Sequence, residues 1–104
     1  MATKVHSSHI IHKIQTRTID NPIYSKEIER SLAISDVSVR DAVHKARTIE
    51  NIPICAGNKG YFMPRDKAEA LRTIKSLRSR ATQNMEAADG IEKHYTKNDQ
   101  QELL

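Results

Sequence analysis

The sequence predicts a mainly α-helical fold that carries one small β-hairpin and closes on a long C-terminal helix. Three observations predict it. Two short segments, 26–33 and 36–48, each follow a serine suited to capping and repeat apolar residues at helical spacing. Next, Ile52-Pro53-Ile54-Cys55-Ala56 and Tyr61-Phe62-Met63 flank Gly57-Asn58-Lys59-Gly60, the pattern of two strands around a tight polar turn. Finally, an apolar seam from Leu71 to Ala88 keeps a three-four spacing over about five helical turns.

Residues 1–8 are polar and read as a flexible N-terminus. Ile10, Ile11, Ile14 and Thr18 fall at helical spacing and predict a first helix over 7–18. Asp20-Asn21-Pro22 ends it, because proline cannot continue the hydrogen-bond ladder and restricts the residue before it. Ile23-Tyr24 is a candidate strand stub. Ser25 is placed to cap the second helix, with Glu27 in its first turn and Tyr24, Ile28 and Leu32 at four-residue intervals. Ala33-Ile34 is a tight connection. Ser35 caps the third helix and Asp36 follows it. There Val39, Ala42, Val43 and Ala46 form one face, and Ser38, Arg40, Asp41, His44, Lys45 and Arg47 the other. Asn51, just past this helix, suits a left-handed backbone. Asp66 caps the last helix. Gly90 is read as its end, although Ile91 and Tyr95 extend the seam. The expected organisation is a flexible 1–8, a domain over 9–65, a helix over 66–90 and a polar tail over 91–104.

Composition narrows the class. A chain of 104 residues fits one domain. With 38% hydrophobic residues and only four aromatics, the core must be small and aliphatic. No run approaches the roughly 20 apolar residues of a membrane span, and the N-terminus lacks the apolar stretch of a signal peptide. A single cysteine, Cys55, excludes an internal disulfide framework and predicts a reducing, cytoplasmic setting. The net charge of +4 predicts a polyanionic partner. The charge is uneven: residues 1–63 carry +3, residues 64–83 carry +4 and residues 84–104 carry −3. Paired carboxylates, a nucleophile–base set and a cofactor loop are all missing from the pattern, so neither an enzyme nor a cofactor is predicted. His6, His9 and His12 recur every three residues but lack the further ligands a metal site needs. Cys55, in a strand of apolar neighbours, reads as a small buried hydrophobe.

Two short capped helices joined by about three residues, then a hairpin, form a helix-turn-helix with a wing. Val39-Arg40-Asp41-Ala42-Val43-His44-Lys45-Ala46-Arg47, Asn51-Ile52-Pro53-Ile54 and Gly57-Asn58-Lys59-Gly60-Tyr61-Phe62 carry a family likeness. Over about residues 9–65 the chain resembles the winged helix-turn-helix proteins of bacteriophages and bacterial mobile elements. It is also similar to the DNA-binding domain of biotin-ligase repressors. Asn51 stands where such proteins often carry glycine, and Ala46 where a larger aliphatic is usual. The resemblance implies sequence-specific binding of double-stranded DNA, in a role among regulation of transcription, excision, replication and packaging.

A helix fits the major groove, where its polar face reaches base edges. On that basis Ser38, Arg40 and His44 are expected nearest the bases, with Arg47 on the same stripe as Arg40 and His44. Ser35, Lys45 and Lys59 are expected on phosphate, and Asn58 at the hairpin tip beside the backbone or minor groove. Asp41 either orients Arg40 or Lys45 or reads cytosine. The seam of helix 66–90 outlasts one small core, which points to a homodimer, or else to a helix folded back over the first. A winged helix that binds a host or phage protein instead of DNA is the alternative.

Overall fold

The computed structural model describes the backbone of residues 2–103 and the side chains of residues 7–96. It is mainly helical, with one two-stranded antiparallel hairpin. In chain order the elements are α1 (Ala2–Gln15), α2 (Ser25–Leu32), α3 (Asp36–Thr48), β1 (Cys55–Gly57), β2 (Gly60–Phe62) and α4 (Lys67–Leu103). They divide into two units, one running through Thr73 and the other starting at Ile74.

In the first unit, α1, α2 and α3 pack against one another. Ile10 and Ile14 of α1, Ile28 of α2, and Val39 and Val43 of α3 are fully buried, with Ile11, Ala42, Ala46, Ile23 and Ile54 completing the cluster. Each such aliphatic side chain contributes roughly 1.5–3 kcal/mol on leaving water, so this cluster decides how the helices face. The seam read for α2 holds at Ile28, with Leu32 packed against the cluster, but not at Tyr24, which is 54% exposed.

Helix ends follow their capping chemistry. Ser35 Oγ accepts the Ser38 N–H at 3.2 Å, as the sequence predicts. Ser25 does not cap α2. The helix starts at Ser25 itself, so the cap residue is Tyr24, which makes no side-chain bond. The Ser25 hydroxyl instead sits between the carboxylates of Glu29 (2.9 Å) and Asp36 (3.1 Å), tying α2 to the start of α3. The turn between them is made by Ala33 in the left-handed region (φ 54°), with the Ile34 N–H donating back to the Glu29 carbonyl. Asn51 (φ 56°) closes α3 in the same manner, the Ile52 N–H reaching the Ala46 carbonyl at 2.9 Å.

α1 departs from its predicted span of 7–18. The backbone is helical from Ala2, since nothing in 2–8 breaks a helix, and it stops at Gln15. Just past it the Arg17 N–H turns back to the Ile14 carbonyl at 2.9 Å, and the Arg17 carbonyl accepts the Met63 N–H at 3.0 Å. The predicted stub at Ile23 is a third short strand position. Ile23 exchanges both backbone hydrogen bonds with Tyr61 (2.9 and 2.8 Å), while β1 and β2 pair Cys55 with Phe62, Ala56 with Tyr61 and Gly57 with Gly60. That bridge brings the Ile23 backbone against Gly60, which takes φ 123°. A Cβ there would lie 2.2 Å from the Ile23 carbonyl oxygen, so only glycine fits.

α4 begins with a reciprocal cap. Asp66 Oδ1 accepts the Glu69 N–H at 3.0 Å, and Glu69 Oε1 accepts the Arg65 N–H at 2.9 Å. The Arg65 guanidinium also pairs with Glu69 (2.7 Å) and Asp20 (3.0 Å). Thr73, buried, bonds both backbone groups of Ala56 in β1, so the first two turns of α4 belong to the first unit. The second unit is the rest of α4, and its described side chains, 74–96, are all exposed. Gly90 does not end the helix, and residues 91–103 are helical where a tail was expected. One interior glycine costs about 1 kcal/mol, too little to stop a helix whose neighbours, Glu86-Ala87-Ala88 and Glu92-Lys93, favour it.

Two outcomes are expected. Gly60→Ala lowers unfolding free energy by more than about 2 kcal/mol in denaturant titration, because backbone must move; an unchanged midpoint contradicts the Ile23 contact. The Glu69 carboxyl is held below the usual carboxylate range, first by the Arg65 amide and then by its guanidinium. A lowered folded pKa means stability present at neutral pH and lost as the pH falls through that lowered value. Glu69→Gln is therefore less stable than the parent at pH 7, with the gap in thermal midpoint closing in acid.

Candidate nucleic-acid interface

α3 is amphipathic, and burial of Val39, Ala42, Val43 and Ala46 fixes its rotation. With 3.6 residues per turn, the positions opposite that stripe are Val37, Asp41, His44 and Thr48. All four are exposed, Val37 at 57%. Asp36, Arg40 and Arg47 flank them on one side, and Ser38 and Lys45 on the other. Lys45 lines a shallow groove with Ser8, His12 and Gln15 of α1.

The predicted site residues have distinct fates. Ser35, Ser38, Arg40, Asp41, His44 and Lys45 share the exposed surface of α3. The Ser35 hydroxyl is engaged in the cap and bonds Ser38 Oγ at 3.2 Å. Arg40 Nε pairs with Asp36 Oδ2 at 3.0 Å. Such an exposed i,i+4 pair is worth about 0.3–0.5 kcal/mol, less than the roughly 1–3 kcal/mol of a guanine contact, so the pairing does not hold Arg40 back from a base. Arg47 is different: it is half-buried, and its Nε donates to the Ile54 carbonyl at 2.9 Å, joining α3 to the segment entering β1. Asn58 and Lys59 are exposed at the hairpin tip.

Tyr61 of β2 is half-buried. Partial burial pushes its phenol up from the ordinary value, and the charges of Arg47, Asp36 and Arg40 of α3 and Glu29 of α2 act on it. Phe62, next to it, is buried, and Tyr61 packs against the core.

Sequence reasoning missed Val37 and Thr48, because only polar or charged α3 residues short of the helix end were considered. It also missed Lys26 and Arg30, exposed one turn apart on α2 and bordering a concavity with Tyr24. Their four-residue spacing was the available signal. Among the described residues no group of three His, Cys, Asp or Glu side chains gathers as a metal site, and the side chain of His6 lies outside them. No helix among them is long and apolar enough to cross a membrane.

Compared with known families, curated proteins and solved structures, the chain matches none.

The two arginines separate a structural role from an available one. Arg47→Ala is expected to lower stability by about 1–3 kcal/mol, the cost of leaving a buried carbonyl unpaired. Arg40→Ala is expected to stay within about 0.5 kcal/mol. Equal losses in chemical denaturation contradict this assignment.

Proposed function

We propose that this protein binds double-stranded DNA sequence-specifically, with α3 in the major groove and the hairpin tip on the backbone. The observation that carries the reading is the exposed polar face of α3, held outward by four buried residues. Two short helices, a three-residue turn and a hairpin suit a winged helix-turn-helix. In this reading Arg40 and His44 contact base edges, and Val37 meets a thymine methyl. Ser38 and Asp41 lie close by. Lys45, Lys59 and the α3 N-terminus at Ser35 meet phosphate. Lys26 and Arg30 extend the cationic surface, and the net charge of +4 favours the polyanion. By the sequence resemblance, we infer a cytoplasmic role as regulator or as replication, packaging or excision accessory of a phage or mobile element. The unpartnered apolar residues of α4 support self-association, which gives two copies of the reading helix for a two-fold site.

A second reading has its own observation. Val37 and Tyr24 are exposed and apolar, and Asp36 and Asp41 share their surface. This mixture suits a protein surface as partner.

Fluorescence anisotropy with a random duplex at about 50 and 200 mM salt separates the two. DNA binding predicts affinity at the lower salt that falls roughly tenfold or more at the higher. Lys59→Ala lowers affinity alike for all sequences. Arg40→Ala reduces discrimination between duplexes, and Asp36→Asn tightens binding by removing a carboxylate that faces phosphate. No binding at the lower salt contradicts the proposal and leaves the protein-binding reading.

A further inference from the structure

From the second unit we infer that α4 pairs with a second copy of itself, and that the two helices run antiparallel. The inference deepens the self-association put forward above and fixes its geometry. Within 74–96 all apolar side chains except Met85 and Ala87 follow a seven-residue repeat: Ile74, Ala81, Ala88 and Tyr95 at one position, Leu77 and Ile91 at the other, with Asn84 between them. That 3.5-residue period is the pattern of a helix whose seam follows another helix. Its large side chains are exposed: Ile74, Leu77, Ile91 and Tyr95 are 37%, 39%, 65% and 60% exposed.

Charge identifies the occupant and its direction. From Arg72 to Arg80 the helix carries Arg72, Lys75, Arg78 and Arg80 with no acid. From Asn84 to Thr96 it carries Glu86, Asp89 and Glu92 against Lys93. A parallel pair sets like against like along its whole length. An antiparallel pair sets each basic half beside the acidic half of the other copy. Packing agrees. With the two-fold axis between Thr82 and Gln83, Ile74 faces Ile91, Leu77 faces Ala88, and Ala81 faces Asn84 of the second copy, so small residues meet larger ones. A parallel pair stacks Ala81 on Ala81 and Ala88 on Ala88, leaving two thin layers.

The test is made without DNA, so its failure leaves DNA binding by a single copy untouched. Sedimentation equilibrium at roughly 100 µM is expected to give a mass near twice the chain's 11.8 kDa. Leu77→Glu is expected to return it to one chain while amide spectra of residues 7–73 stay unchanged. Direction is read from spin labels at Gln83→Cys or Lys93→Cys, each with Cys55→Ala, or with Cys55 kept, since its thiol is buried. In the antiparallel pair the labels at position 83 lie close together, and those at 93 lie about 30 Å apart along the axis. Equal distances at both positions mean a parallel pair and overturn the inference. A monomer at that concentration overturns it as well and assigns the seam to a different protein.

Discussion

Four side chains decide what this protein can present to a partner. Val39, Ala42, Val43 and Ala46 are buried against α1 and α2. Because a helix is rigid, burying one stripe fixes the direction of every other residue on it. Val37, Asp41, His44 and Thr48 are outward because those four are inward. A single residue of rotation would move Val39 toward solvent and His44 toward the core, at a cost of several kcal/mol for the exposed aliphatic and the buried imidazole together. The polar face of α3 is thus as firmly specified as the core.

The hairpin is positioned by a different kind of contact. Backbone contacts add to the burial of Ile23, Ile54, Cys55 and Phe62: the Ile23–Tyr61 exchange, the Met63–Arg17 bond and the close approach at Gly60. Thr73 then bonds β1 from the first turns of α4. The loop after α1, the hairpin and the start of α4 are thus joined by polar bonds in addition to the aliphatic contacts that the three helices share with Ile23 and Ile54. Arg47 links the two sets, reaching from α3 to the Ile54 carbonyl.

Much of the fold was legible in the sequence, and the reasons are local. α3 matches its predicted span because Ser35 and the Val39–Ala46 stripe are short-range signals. Asn51 takes the left-handed backbone expected of it, while Ala33 takes one that its side chain does not announce. The misreadings trace to long-range bonds. The segment after α1 bonds Met63, nearly fifty residues away, and the Ser25 hydroxyl reaches Asp36 across the turn. At the surface, an arginine's fate was not readable from its face alone: Arg40 stays exposed and Arg47 turns toward the strand, though both sit on the same flank. Gly90 misled because a helix-ending glycine and a tolerated one look alike in sequence.

The central claim is that the outward face of α3 and the hairpin tip meet duplex DNA together. Amide chemical shifts recorded while a duplex is added to the full chain test it most directly. The largest changes are expected at Val37, Asp41, His44, Asn58 and Lys59, with Ile10 and Ile14 unmoved. Changes confined to the groove between α1 and Lys45, or none at any duplex concentration, contradict it.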